Sequence, residues 1–235
     1  MNRIIPLALV ALLLAGCETR SISDSGYRPS YGWGGGGRSN PLYGGELTEL
    51  DILGAAPAEE ATELNIAKAL ESAAAPTLRR GDKVLLIQSG APVADNSMLE
   101  EASKYFAVAP FSGIPPSDKA GMSESLRLRA AQGGYRHIVC YWGVLESAQE
   151  QKDGKALSWV PIVGYFVPDQ KQQMRIRLKA LVLDVATGNW RMLTPEVYSD
   201  YNYNSGWSRE ANDQKLVTEL KERGYRSLVT ALVQS

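Results

Sequence analysis

Histidine occurs once in the 235 residues, at His137, and cysteine twice, at Cys17 and Cys140. Any Ser-His-Asp or Cys-His nucleophilic site would have to use His137 as its base. The neighbouring Arg136 disfavours a protonated imidazole there. No Gly-x-Ser-x-Gly elbow is present, and Ser112-Gly113 in PFSGIPP carries no mark of activation. His137 and Cys140 are three residues apart on an expected strand and so point to opposite faces, which does not suit zinc. Cys140 reads as a small core residue. Glu59-Glu60 and Glu100-Glu101 are adjacent on expected helices, point in different directions and read as solvated faces. A glycosidase needs two carboxylates opposed across one bond. The glycines of GWGGGGR sit in a Gly/Ser/Pro-rich stretch with no Gly-Lys-Ser/Thr after them, which is a poor phosphate cradle. The expectation is a chain with no enzymatic activity, no cofactor and no metal. The enzymatic alternative is a hydrolase using His137.

Residues suited to recognition are more prominent. YSDYNYNSGW places Tyr198, Tyr201, Tyr203 and Trp207 among Ser199, Asn202, Asn204 and Ser205. Rigid aromatic rings with adaptable polar neighbours are the composition of binding loops; the same residues could instead cover a sheet edge. Trp159 to Val167 is apolar and suits either core packing or contact with a partner or membrane. Basic and acidic residues balance at 25 and 26, with no Lys/Arg block, so nucleic acid is not an expected partner.

The elements that would carry these residues follow from hydrophobic period. Ile66, Ala69, Leu70 and Ala73 make one helical face, stopped by Pro76. The short aliphatic run Val84 to Ile87 reads as a strand buried on both faces, hence central and parallel. A helix follows with Met98, Leu99, Ala102 and Tyr105 on one side and Asp95 or Asn96 as N-cap. A strand is expected over Phe106 to Ala109. The next helix presents Leu126, Leu128, Ala130 and Ala131, is capped by Ser117 or Asp118 and ends at Gly133-Gly134. HIVCYWGVL is a third strand, and Gln149 to Lys155 a polar loop. The segment around Trp159, broken by Pro161 and Pro168, is an edge strand or an irregular packed loop. Met174, Ile176 and Leu178 alternate with Arg175, Arg177 and Lys179, and a turn at Ala186 to Asn189 returns the chain over Trp190 to Leu193. A final helix spans about Ser208 to Val233, interrupted by Gly224. The fold class is α/β (α+β): a mixed sheet with a βαβαβ start, an antiparallel hairpin and a C-terminal helix.

Cys17 belongs to a different kind of signal. Met1-Asn2-Arg3 precedes an apolar run from Ile4 to Gly16 that suits the core of a secretory signal and is too short to span a bilayer. Leu14-Ala15-Gly16-Cys17 resembles the bacterial lipobox. The resemblance implies acylation of Cys17, cleavage before it, and, with Glu18 rather than aspartate following, sorting to the outer membrane on its periplasmic face. Several acyl chains make a stable anchor. Residues 1–16 are then signal peptide, 17–45 a flexible tether of ~30 Å reach, 46–76 a helical extension and 77–235 the folded domain.

The order helix, Gly133-Gly134-Tyr135, strand HIVCYWGVL, then LKALVLDVATGNW and a closing helix resembles the α/β domain of the TolB amino-terminal domain, CsgG and the LpoB-type activators. The resemblance covers roughly Asp82 to Val233. It implies a lipid-anchored binding or assembly module that docks another envelope protein in a secretion, export or cell-wall machine. A homo-oligomeric, CsgG-like export component is its alternative.

Overall fold

The computed structural model describes residues 20–25, 40–55, 61–150, 157–161, 172–202 and 209–234. In chain order the elements are β1 (Arg20–Ser21), α1 (Glu49–Leu53), α2 (Glu63–Ser72), β2 (Lys83–Gln88), α3 (Asn96–Ser103), β3 (Ala107–Phe111), α4 (Met122–Gln132), β4 (His137–Glu150), β5 (Leu157–Pro161), β6 (Gln172–Asp184), β7 (Trp190–Leu193), β8 (Tyr198–Asn202) and α5 (Arg209–Val233). Among the described residues, eight strands form one mixed sheet in the order β3-β2-β4-β6-β7, with β1 and β5 added to β4 and β8 added to β6.

β2 is central and parallel to both neighbours, as its unbroken aliphatic run requires: Leu85 lies opposite Ala109 on one side and Ile138 on the other. The crossovers through α3 and α4 put helices on opposite faces. Met98 and Ala102 of α3 join Leu216, Leu220, Leu228 and Leu232 of α5 over Val84, Leu86, Val139 and Val182. Ile52 of α1 and Leu126 and Ala130 of α4 cover Leu85, Ile87, Ile138 and Leu183. The fold is thus a three-layer α/β sandwich with a mixed sheet and a C-terminal helix, the class the periodicity implies. β4 and β6 pair antiparallel from His137↔Asp184 to Ala148↔Gln173, and α5 still covers one face of their distal half, where Leu145, Met174 and Ile176 share a cluster with Leu216 and Leu220. In that distal half Glu146 is buried between Arg175 and Arg177.

Several expectations are corrected. The polar loop expected over Gln149 to Lys155 does not begin at its first residue, because β4 runs on through Glu150. Gln149 stands opposite Ser158 of β5, whose pairing keeps this end of β4 extended. The cap of α4 is Gly121 and not Ser117 or Asp118; Asp118 instead accepts from the Ala120 amide in the turn before it. Of the four apolar positions there, Leu126 and Ala130 are buried one turn apart, while Leu128 and Ala131 are rotated off that stripe and exposed. Gly224 does not interrupt α5. It sits where a side chain would meet the sheet, with a Cβ only 2.9 Å from Leu178 Cδ1. The apolar face of α2 finds nothing to cover it among the described residues: Leu64, Ile66 and Leu70 are exposed.

The expected tether and helical extension also differ from the structure. Arg20 and Ser21 pair with β4, Asn40 is hydrogen-bonded to Ser23 and Asp24, Tyr43 lies against Gly90, and Leu47 and Ile52 belong to the core. Ile22 is 2% exposed, and Ser21, Ser23 and Ser25 are buried beside it. The composition of the segment favours solvent, but its hydroxyls hydrogen-bond within the fold instead.

Candidate functional site

In an open α/β sheet, ligands bind outside the carboxyl ends of the parallel strands, at the point where successive crossovers leave to opposite faces. Here that point is the end of β2, from Gln88 to Asp95, between β3 and β4.

The chain itself occupies this crevice. Arg20 and Ser21 extend β4 by pairing with Leu145 and Val144, and the Ile22 amide donates to Gly143 O at 3.0 Å. Ser23 then turns in: its hydroxyl donates to Ser89 O at 2.6 Å and accepts from Gln88 Nε2 at 3.0 Å. Gln88 Oε1 accepts from the Tyr141 hydroxyl at 2.5 Å and from the Asp95 amide at 2.8 Å. Asp95 is the N-cap of α3, but its side chain does not cap the helix; its Oδ2 accepts from Tyr225 OH at 2.5 Å and from Lys221 Nζ at 2.9 Å. Lys221 also donates to Ile22 O at 2.8 Å. Tyr141 and Tyr225, both fully buried, meet edge to face at 5.7 Å, and burial first of all pushes both phenols well above their ordinary range.

A second strand of contacts closes the other side. The Leu47 amide donates to Ser89 Oγ at 2.8 Å, and the Trp142 indole donates to Leu47 O at 2.6 Å. Tyr43 lies over Gly90, and its hydroxyl is pushed up to about 12, chiefly by burial and then by the nearby Glu46 carboxylate. Thr48 and Asp51 form a reciprocal capping box on α1, and Asp51 accepts from Lys119 at 2.7 Å. Three apolar side chains remain exposed around the filled crevice: Leu42, Val93 and Phe111.

The opposite end of the sheet holds His137. It is buried at the start of β4, with Nδ1 3.7 Å from Asp82 Oδ2 and Nε2 3.9 Å from Asp184 Oδ2. Burial lowers its pKa, against the upward pull of the two carboxylates. Both carboxylates are engaged in turns: Asp82 accepts from the Arg79 amide, and Asp184 from the Thr187 amide and hydroxyl. Nδ1 has no hydrogen-bond partner among the described residues. Cys140 is wholly buried, its thiol pushed well up by burial. No group of three or more His, Cys, Asp or Glu among the described residues could hold a metal ion.

The recognition candidates are placed unevenly. Tyr198 and Tyr201 are not in a loop: β8 pairs with β6, because the long β4–β6 hairpin leaves that edge of β6 open. Trp159 lies on β5, an edge strand on the far side of β4. Register puts Trp159, Ala148, Gln173 and Tyr201 in one cross-strand row near the distal end of the hairpin. Tyr198 is exposed at the start of β8. Cys17, Glu18, Tyr203 and Trp207 lie outside the described residues, as does the apolar stretch after Pro161. Sequence reasoning missed the Ser23–Gln88–Asp95–Tyr225 cluster; the polar Gln88-Ser89 directly after a buried aliphatic strand was its one local sign. No helix among the described residues is long and apolar enough to cross a membrane.

Residues 48–235 match the family model described as YafT bacterial lipoprotein. No curated protein matches. Among solved structures, two matches are PelC dodecamers from Paraburkholderia phytofirmans. One, a point variant, is 15% identical, covers 66% of this chain and 94% of that one, and has a TM-score of 0.26. The other is 14% identical, covers 66% and 92%, and has a TM-score of 0.29.

Proposed function

This chain belongs to the YafT bacterial lipoprotein family, and from that premise we propose that it is a lipid-anchored, non-enzymatic binding module of the cell envelope. In this reading Cys17 carries the lipid and Glu18 directs the chain to the outer membrane, facing the periplasm. The folded domain docks another envelope protein, as part of a secretion, export or cell-wall machine. The resemblance to TolB amino-terminal, CsgG and LpoB-type domains supports the same reading.

The observation that carries the proposal is the filled crevice. The position where a sheet of this kind takes a small molecule is occupied by Ser23, Leu47 and their hydrogen bonds. Leu42, Val93 and Phe111, on the segments around it, are exposed, and this is where the reading places the partner. His137 offers little support for the hydrolase alternative: its two carboxylate neighbours are committed to turns, and burial disfavours its charged form.

Complementation of a deletion strain separates the readings. Phe111→Asp is expected to abolish the envelope phenotype's rescue while the protein stays folded and anchored, and His137→Gln to leave rescue intact. The reverse pattern, with normal folding, replaces the module by an enzyme.

A further inference from the structure

The lipid and the fold are closer together than the composition of residues 17–45 suggests. Arg20 is already paired with Leu145, and the segment behind it is fixed on three sides. β4 holds it through the Ile22 amide, α5 through Lys221, and the β2–α3 loop through Ser23. Only three peptide steps separate Cys17 from Arg20. At no more than ~3.6 Å per residue they span at most about 11 Å. The headgroup zone of one leaflet is itself about 5–8 Å deep. With its lipid in the leaflet, Cys17 leaves Arg20 at or just above the headgroups.

We infer that β1 is a short leash that holds the distal half of the β4–β6 hairpin against the lipid surface. This rests on the anchoring of Cys17 proposed above. The direction is set by register. β1 runs antiparallel to β4, so its Arg20 end is the one nearer the distal end, where Pro161 of β5 stands opposite Glu146 on the same edge of β4. The bilayer therefore meets the hairpin's distal half, with its row of Trp159, Ala148, Gln173 and Tyr201, while the rim carrying His137 points away. Aromatic residues are enriched where protein meets the headgroup layer. Glu146, gripped by Arg175 and Arg177, braces this half of the hairpin. A second consequence is orientation: a domain fixed three residues from its lipid presents a constant face to the periplasm, which a coil of ~30 Å reach would not do.

The test uses the full lipidated chain in vesicles of phosphatidylethanolamine and phosphatidylglycerol. Cys140 is buried and Cys17 is blocked by its lipid, so a single added cysteine takes a fluorophore selectively. Gln149→Cys marks the distal end of β4, and Gln132→Cys the exposed end of α4 at the opposite rim. With a headgroup-proximal quencher lipid, at least twofold quenching is expected at position 149 and almost none at 132. Inserting a dozen Gly/Ser residues between Thr19 and Arg20 is expected to erase the difference without altering thermal unfolding. Equal quenching at both positions, or quenching at 149 that survives the insertion, overturns the leash. Mass spectrometry of the N-terminal peptide reports lipidation separately. An unlipidated chain removes the anchoring and the leash together, whereas a lipidated chain with equal quenching removes the leash alone.

Discussion

The two ends of the parallel strands solve the same problem in different ways. At the carboxyl end of β2, the polar groups that the fold buries around Gln88 answer one another: Ser23, Ser89, Asp95, Tyr141, Tyr225 and Lys221 form one connected network. At the amino end, His137 sits between Asp82 and Asp184 at 3.7 and 3.9 Å, too far for good hydrogen bonds, and its Nδ1 is buried without one among the described residues. A satisfied network in a low-dielectric interior fixes one arrangement and resists opening. A loosely placed imidazole does neither. The crevice end is therefore the more tightly fixed of the two, and the histidine end the more loosely held.

The largest way to break this contrast is at Gly113. A Cβ there would fall 1.8 Å from Gln88 O, a backbone atom with nowhere to move. Gly113 also exchanges backbone hydrogen bonds with the β2–α3 loop, at 2.9 Å to the Gly90 amide and 2.8 Å to Ala91 O. Gly113→Ala is therefore expected to cost about 3 kcal/mol or more, measured by denaturant unfolding, within the range for severe overpacking. A loss under about 1 kcal/mol would mean that the crevice is looser than its hydrogen bonds imply.

Tyr225→Phe is a smaller cut in the same network. It removes one hydrogen bond to Asp95 while Lys221 keeps the carboxylate partnered. A loss of about 1–2 kcal/mol is expected, and proteolysis after Arg20 is expected to quicken as the N-terminal segment loosens. Unchanged proteolysis would uncouple that segment from the network.

The smallest effect is expected at the other end, and it depends on pH. Burial holds the pKa of folded His137 below its unfolded value. The unfolded chain therefore binds the extra proton as pH falls through about 6.5. Its contribution is fully present above that pH and is lost progressively on acidification toward the folded pKa. His137→Gln should flatten the acid side of the Tm-versus-pH curve, because the variant lacks the group whose protonation favours the unfolded chain. A steeper acid loss in the variant would show that the two aspartates, and not burial, govern the ring.

Much of the architecture was legible. The aliphatic run of β2 implied a central parallel strand, and the alternation of Met174, Ile176 and Leu178 with Arg175 and Arg177 marked the two faces of β6. Period carries that information because burial on one face repeats every second residue. Less was legible where a residue's use depends on a distant one. Asp95 was readable as an N-cap position, but not as the acceptor for Lys221 and Tyr225. The serines of residues 20–25 read as solvated, because composition records polarity and not whether a partner waits. Tyr198 and Tyr201 read as a loop, because β8 exists only where β6 extends to receive it.

By itself, then, the sequence determined the mixed sheet with its closing helix, and it limits any histidine-based chemistry to His137. Only the tertiary structure decided that the chain fills its own crevice and that Arg20, three positions after Cys17, is paired with β4. Strand and helix periods are local properties of the chain. The hydrogen bond from Gln88 to Ser23 joins residues 65 apart, and the free energy of satisfying a buried polar group belongs to the pair and to neither residue alone.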